Sequence, residues 1–214
     1  MNEIKAVIFD MDGVLLDSES LSDKTWEQAA QEFKISLSTE TLNKCRGRNR
    51  NDTTQILKDF YGSDFPSLQF LERTSELFFQ MEQNGHLHLM PDAKECLEYL
   101  KSKYRLALAS STRKESVYRQ LTNLGLFSYF ETITTGDMVV HSKPEPEIYT
   151  IACKSINENP KNCVAIEDSP NGIKSAFSAG LKTVMVPDRI KPSAKIEQLC
   201  WKIIPSLNQI QTIL

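Results

Sequence analysis

Two rhythms of apolar and polar positions divide the chain. Ala6–Phe9 is an unbroken apolar run with two β-branched residues, ending in Asp10-Met11-Asp12-Gly13. An apolar run of that length bounded by turn residues predicts a strand buried on both faces, central in a sheet. From residue 19 the period becomes helical. Ser22-Asp23 are expected to cap a first helix whose face is Trp26, Ala29, Ala30 and Phe33, and Ser38 to cap a short helix, Thr39–Cys45, ending near Gly47. A third helix is expected over about 52–61, closed by Gly62, and a long fourth from Pro66-Ser67 to about residue 84, closed by Gly85.

After Pro91 helix and strand alternate. Helices over 92–101, 114–124, 146–156 and 170–179 precede or separate strands over 105–110, 131–134, 163–167 and 182–186. Such alternation predicts parallel pairing through right-handed crossovers. The first strand cannot build a sheet alone, so it must join the later ones across the helical stretch. The expected fold class is α/β: a Rossmann-like, mostly parallel sheet with helices on both faces, plus an inserted all-α, four-helix cap. The expected division is 1–16 and 91–214 for the core and 17–90 for the cap, with hinges around 15–20 and 84–90. The tail from Trp201 is expected to add an edge strand at Ile203-Ile204 and a closing helix.

Composition narrows the function classes. Hydrophobic residues make up 40% of the 214 residues and charged residues 25%, as in ordinary globular proteins, and the net charge is −3. No dense basic run is present, which argues against nucleic acid and anionic membranes as partners. The five cysteines are scattered without a C-x-x-C pair, and three of them fall in apolar helix or strand patterns. Glu3 and Lys5 precede a run too short for a signal peptide, and no run reaches membrane-spanning length. The expectation is a cytoplasmic monomer.

The polar residues that follow each core strand suggest a chemistry. Ligands in open parallel sheets sit beyond the carboxyl ends of the strands. There the sequence supplies Asp10 and Asp12, then Ser110-Ser111-Thr112-Arg113, then Ser142-Lys143-Pro144, then Glu167-Asp168-Ser169. Each group alone reads as a polar turn or a helix cap. Together, at one polarity of one sheet, they make a rim of carboxylates, hydroxyls and a lysine.

This constellation resembles the haloacid dehalogenase superfamily, in particular the β-phosphoglucomutase and sugar-phosphate phosphatase branch with a small helical cap. Asp10-Met11-Asp12-Gly13-Val14-Leu15 is similar to its first motif, Ser110 to its second, Lys143-Pro144 to its third and Glu167-Asp168 to its fourth. The resemblance implies a Mg²⁺-dependent phosphatase acting on small phosphorylated metabolites, sugar phosphates among them, through an aspartyl-phosphate on Asp10. Asp12 would be general acid and then base, while Ser110, Ser111 and Lys143 would bind the phosphoryl oxygens. The metal would be held by Asp10, the backbone carbonyl of Asp12 and Asp168, with Glu167 helping from the outer shell. An acid at Asp12 separates the chain from the cation-pumping ATPases, which carry Thr there, and from the dehalogenases, which lack this second aspartate.

The alternatives are a β-phosphoglucomutase-type mutase and a non-catalytic binding module. Arg50 stands where the mutase has a phosphate-binding arginine, flanked by Arg46 and Arg48. The mutase also has a histidine near the start of its first cap helix, where this chain has Ser22. His86, His88 and His141 lie elsewhere, so hydrolysis ranks first. The filled motif positions argue against a silent module.

Overall fold

The structure, a computed structural model, describes residues 3–46, 48 and 50–214. The described residues form two units: one joins the N-terminal residues through Leu16 to Leu89–Leu214, and the other is Asp17–His88.

The first unit is built on a six-stranded parallel sheet. Its strands are β1 (Ala6–Phe9), β2 (Arg105–Ala109), β3 (Thr132–Thr134), β4 (Cys163–Glu167), β5 (Lys182–Met185) and β6 (Lys202–Ile203), in the order β3-β2-β1-β4-β5-β6. β1 is central, and every one of its residues is fully buried. Side chains alternate across a strand. One face presents Ala6, Ile8, Ala107, Ala109, Cys163 and Ala165, which pack with Ile148, Tyr149, Ala152 and Cys153 in a single cluster. The other carries Val7, Phe9, Leu106, Leu108, Val164 and Ile166, none more than 1% exposed, so this face is covered too.

Between the strands run α5 (Ala93–Lys101), α6 (Lys114–Asn123), α7 (Glu147–Ser155) and α8 (Pro170–Ser178), numbered after the four helices of the other unit. Ser169 caps α8, its hydroxyl accepting from the Gly172 N–H at 3.1 Å, and Pro170 occupies the first turn where no donor is needed. The tail departs from expectation. A short helix α9 (Ala194–Glu197) precedes the edge strand, which is Lys202–Ile203, and the chain closes in a 3₁₀ turn, Leu207–Thr212. Only Leu207 and Ile210 of that turn are buried, too narrow an apolar stripe to require a full α-helix.

The second unit holds α1 (Ser18–Glu32), α2 (Thr39–Cys45), α3 (Arg50–Tyr61) and α4 (Ser67–Gln83). Ser38 caps α2 as the sequence implies, its hydroxyl accepting from the Thr41 N–H at 3.1 Å. Gly47, the expected stop of this helix, lies outside the described residues. α1 begins at Ser18, with Asp17 at its N-cap, five residues before the Ser22 cap the sequence implied. Ser18 and Leu21 are already buried in its first turn, Glu19 complements the positive end of the helix, and the Ser22 carbonyl accepts a hydrogen bond from the Thr25 hydroxyl at 2.8 Å. α3 likewise starts at Arg50, two residues early.

The core of this unit is aromatic. Phe70 is fully buried, and its ring stands edge-on to Trp26 and to Phe33, each at 5.4 Å between centroids. Arg46 bridges Glu19 and Asp23 of α1. Among the described residues no helix is long and apolar enough to cross a membrane.

Phe70→Ala removes the ring at the centre of this cluster and should destabilise the helical unit by about 3–5 kcal/mol, the usual cost of emptying a buried phenylalanine site. Urea unfolding followed by circular dichroism measures it; a loss under about 1 kcal/mol would contradict the packing described.

Candidate active site

Strand register gathers the polar residues. Phe9 lies level with Leu108 on one side and Ile166 on the other, so the next residue, Asp10, stands level with Ala109 and Glu167. Asp10 continues the ladder by donating its N–H to the Ile166 carbonyl at 2.9 Å, and Ser110 does the same to Thr134 at 3.0 Å. Alternation then turns the side chains of Asp10 and Glu167 to the face covered by α7, since Ile8 and Ala165 already occupy that face.

Lys143 reaches the same point from the loop before α7. Its ammonium donates to Asp10 Oδ1 at 2.6 Å, to Glu167 Oε1 at 2.6 Å and to the Ala109 carbonyl at 3.1 Å. Tyr149 donates its hydroxyl to Glu167 Oε1 at 2.8 Å, and its ring centroid lies 5.2 Å from the Lys143 nitrogen. The N–H and hydroxyl of Ser169 donate to the other oxygen, Glu167 Oε2, at 3.3 and 3.1 Å. Lys143 is 2% exposed and Glu167 wholly buried. Burial pushes the Asp10 carboxyl up to about 8 against the pull of Lys143, with Glu167 and Asp12 adding to the rise. The two carboxylates at Lys143 overcome its own burial and raise its value. Burial and Glu167 hold Tyr149 well above the ordinary phenol range, which keeps its hydroxyl a donor.

Asp12 is held by other partners. Thr112 donates its hydroxyl to Asp12 Oδ2 at 2.8 Å and Ser110 to the same oxygen at 3.3 Å, while the Thr112 N–H donates to Ser110 Oγ at 3.1 Å. Ser111 Oγ is buried without a hydrogen-bond partner. The close approaches need glycines. Gly13 has φ +76°, and a Cβ there would come within 2.6 Å of Asp168 Oδ2. A Cβ at Gly172 would sit 1.8 Å from the Glu167 carboxyl carbon, and one at Gly136 would sit 2.0 Å from the Ser111 carbonyl oxygen.

Of the residues the sequence singles out, the structure brings Asp10, Asp12, Ser110, Lys143, Glu167 and Asp168 to this rim. Each of Asp10, Glu167 and Asp168 offers a carboxylate oxygen, and the three oxygens lie within 4.8 Å of one another. An all-oxygen donor set fits a hard divalent cation. Glu167 already accepts from Lys143, Tyr149 and Ser169, which suits it to an outer position rather than a direct ligand. Arg50 belongs to the helical unit, where its guanidinium donates to the Leu68 carbonyl at 3.3 Å and to Glu72 at 3.2 Å. Sequence reasoning gave no role to Thr112, Tyr149 or Ser169. Thr112 stands two residues past Ser110 in the same strand exit, and Ser169 directly follows the acidic pair, so both were within reach of that reasoning. Tyr149 carried no such signal, because an aromatic at helical spacing reads as core.

The haloacid dehalogenase-like hydrolase family matches residues 7–186 of the chain. The phosphorylated carbohydrates phosphatase of Thermotoga maritima is 32% identical over 186 residues, covering 85% of this chain and 84% of that protein. The pyrophosphatase PpaX of Oceanobacillus iheyensis is 26% identical, covering 88% of this chain and 86% of that protein. Among solved structures, β-phosphoglucomutase from Clostridium difficile superposes with a TM-score of 0.82 at 25% identity, covering 97% of this chain and 93% of that one.

Gly172→Ala forces the Glu167 carboxylate off Lys143, Tyr149 and Ser169, and should cost about 2–4 kcal/mol by strain and broken charged hydrogen bonds. Tyr149→Phe removes only one donor from Glu167 and should cost about 1–2 kcal/mol. Chemical denaturation of both variants checks the order: a Tyr149→Phe loss exceeding that of Gly172→Ala would contradict this geometry.

Proposed function

The chain belongs to the haloacid dehalogenase-like hydrolase family, and from that premise we propose that it is a phosphatase of small phosphorylated metabolites, working through a phosphorylated Asp10 with Mg²⁺ as its metal. The observation that carries this reading is the buried Lys143 ammonium 2.6 Å from Asp10 Oδ1, at a rim where Asp10, Glu167 and Asp168 converge. The relative that acts on phosphorylated carbohydrates adds support for that substrate class.

Asp10 is the nucleophile in this reading, since it is the carboxylate that the end of β1 and Lys143 hold in fixed orientation. Lys143 fixes Asp10 Oδ1 and offers positive charge to the phosphoryl oxygens. Mg²⁺, when bound, neutralises phosphoryl charge that would otherwise repel an incoming carboxylate. Asp10, Asp168 and the Asp12 carbonyl would hold it, and Glu167 would stand behind them. Asp12 is the general acid for the leaving alcohol and then the base for water, with Thr112 and Ser110 orienting its Oδ2. The Ser111 hydroxyl, buried and without a partner, suits a donor to a phosphoryl oxygen.

Asp10→Asn should lower kcat by about 10³-fold or more, as removal of a nucleophile does, while thermal unfolding shows the fold retained. Chelation should abolish wild-type turnover and Mg²⁺ restore it. Phosphorus NMR with β-glucose 1-phosphate should show inorganic phosphate; accumulation of glucose 6-phosphate would identify a mutase instead. Wild-type turnover by Asp10→Asn would overturn the nucleophile assignment.

A further inference from the structure

The loop after β3 grips the strand exit that carries Ser110, Ser111 and Thr112, and the phosphatase reading gives that loop no role. The Gly136 N–H donates to the Thr112 carbonyl at 2.9 Å. The Gly136 α-carbon lies so close to the Ser111 carbonyl that a Cβ there would collide with it. Asp137 Oδ1 accepts from the Lys114 N–H at 3.1 Å and from the Thr135 hydroxyl at 2.6 Å.

Lys114 opens α6, and the residue before it, Arg113, makes no side-chain cap. The first N–H groups of a helix have no partner inside it, so a cap must come from elsewhere. Asp137 supplies it from 23 residues further along the chain, and its negative charge suits the positive end of the helix. Thr135, which braces the same oxygen, is fully buried, so the cap has a fixed footing although Asp137 itself is exposed. Only Arg113 separates Lys114 from Thr112, whose hydroxyl donates to Asp12 Oδ2 at 2.8 Å.

We propose that Asp137 is a positioning residue: by capping α6 it sets where the Thr112 hydroxyl stands, and through that hydroxyl it aims Asp12 at the leaving oxygen. This rests on the reading of Asp12 as general acid. The requirement is for an acceptor oxygen rather than a charge, because one oxygen takes both bonds and an asparagine presents the same oxygen. The consequence depends on the leaving group. An alkoxide is a strong base and needs a proton as it departs, whereas p-nitrophenolate is a weak base and leaves without one. Misaiming Asp12 therefore slows alkyl phosphates selectively, while a general loosening of the site slows both esters alike.

The test compares kcat/KM for glucose 6-phosphate and p-nitrophenyl phosphate, since that ratio covers the step in which the alcohol leaves. Asp137→Ala should lose about tenfold more on glucose 6-phosphate than on the nitrophenyl ester, the scale of loss from a displaced catalytic group. Thr112→Val should show the same split, and Asp137→Asn should return to within about twofold of the wild-type ratio. Equal losses on the two esters in Asp137→Ala, or no recovery in Asp137→Asn, would overturn the proposal. Amide hydrogen exchange gives a readout without turnover. The Lys114 and Gly136 N–H groups should exchange faster in Asp137→Ala and at the wild-type rate in Asp137→Asn; unchanged exchange in Asp137→Ala also overturns it. Asp12→Ala separates the two readings. Equal losses there would remove the general acid and the proposal with it, whereas a split in Asp12→Ala but not in Asp137→Ala sinks the proposal alone.

Discussion

Lys143 sits between Asp10 and Glu167 at 2.6 Å from each, with 3% of its side chain exposed. A lysine so buried loses its hydration, and only matched charge and hydrogen bonds compensate. The structure supplies both carboxylates and the Ala109 carbonyl, which together give each of the three ammonium protons an acceptor. Removing one partner of a buried pair leaves the other uncompensated, at a cost of about 3–5 kcal/mol. Much of the surrounding chain keeps this one ammonium paired.

That requirement explains features which otherwise look unrelated. Glu167 must accept from Lys143 and still be satisfied on its other oxygen, so Ser169 caps α8 while also donating back to Glu167. The N-terminus of α8 has to come close enough for both bonds, and no side chain larger than the hydrogen of Gly172 fits there. Gly13 plays the matching part under Asp168, where a positive φ and a close approach coincide. Asp10 and Asp12, one residue apart, thereby receive different surroundings: an ammonium in a dry pocket for one, two hydroxyls for the other. In the proposed mechanism it is environment rather than residue type that divides the labour between the two aspartates.

The sequence carried the parts of this plan that are local. The central strands β1, β2 and β4 were visible as short, largely apolar runs, Ser38 announced its helix, and the acids and lysine stood where parallel strands end. What it could not carry was set by tertiary context. α1 starts at Ser18 because Ser18 and Leu21 are buried, which no capping residue reports. α9 is one turn long, below the length at which periodicity is readable. Tyr149 lies in the first turn of α7 between Ile148 and Thr150, and its phenol is told from a packed ring only by finding Glu167 within reach of it. Thr112 was in view but without a role, since its claim on Asp12 spans a hundred residues of chain.

α7 covers the sheet face that carries β4, and the two share one buried cluster. Tyr149 and Cys153 are one helical turn apart, and Glu167 and Cys163 lie four residues apart on one face of the strand. The Tyr149–Glu167 hydrogen bond closes the end toward the carboxylates, and Cys153 and Cys163 are buried in one cluster at the other end. Between them lie the fully buried Ala152 and Ala165. Close-packed interiors transmit displacement instead of damping it. A displacement of α7 therefore acts on the contact that sets the position of the Tyr149 hydroxyl over Glu167, and through Glu167 on the ammonium that holds Asp10.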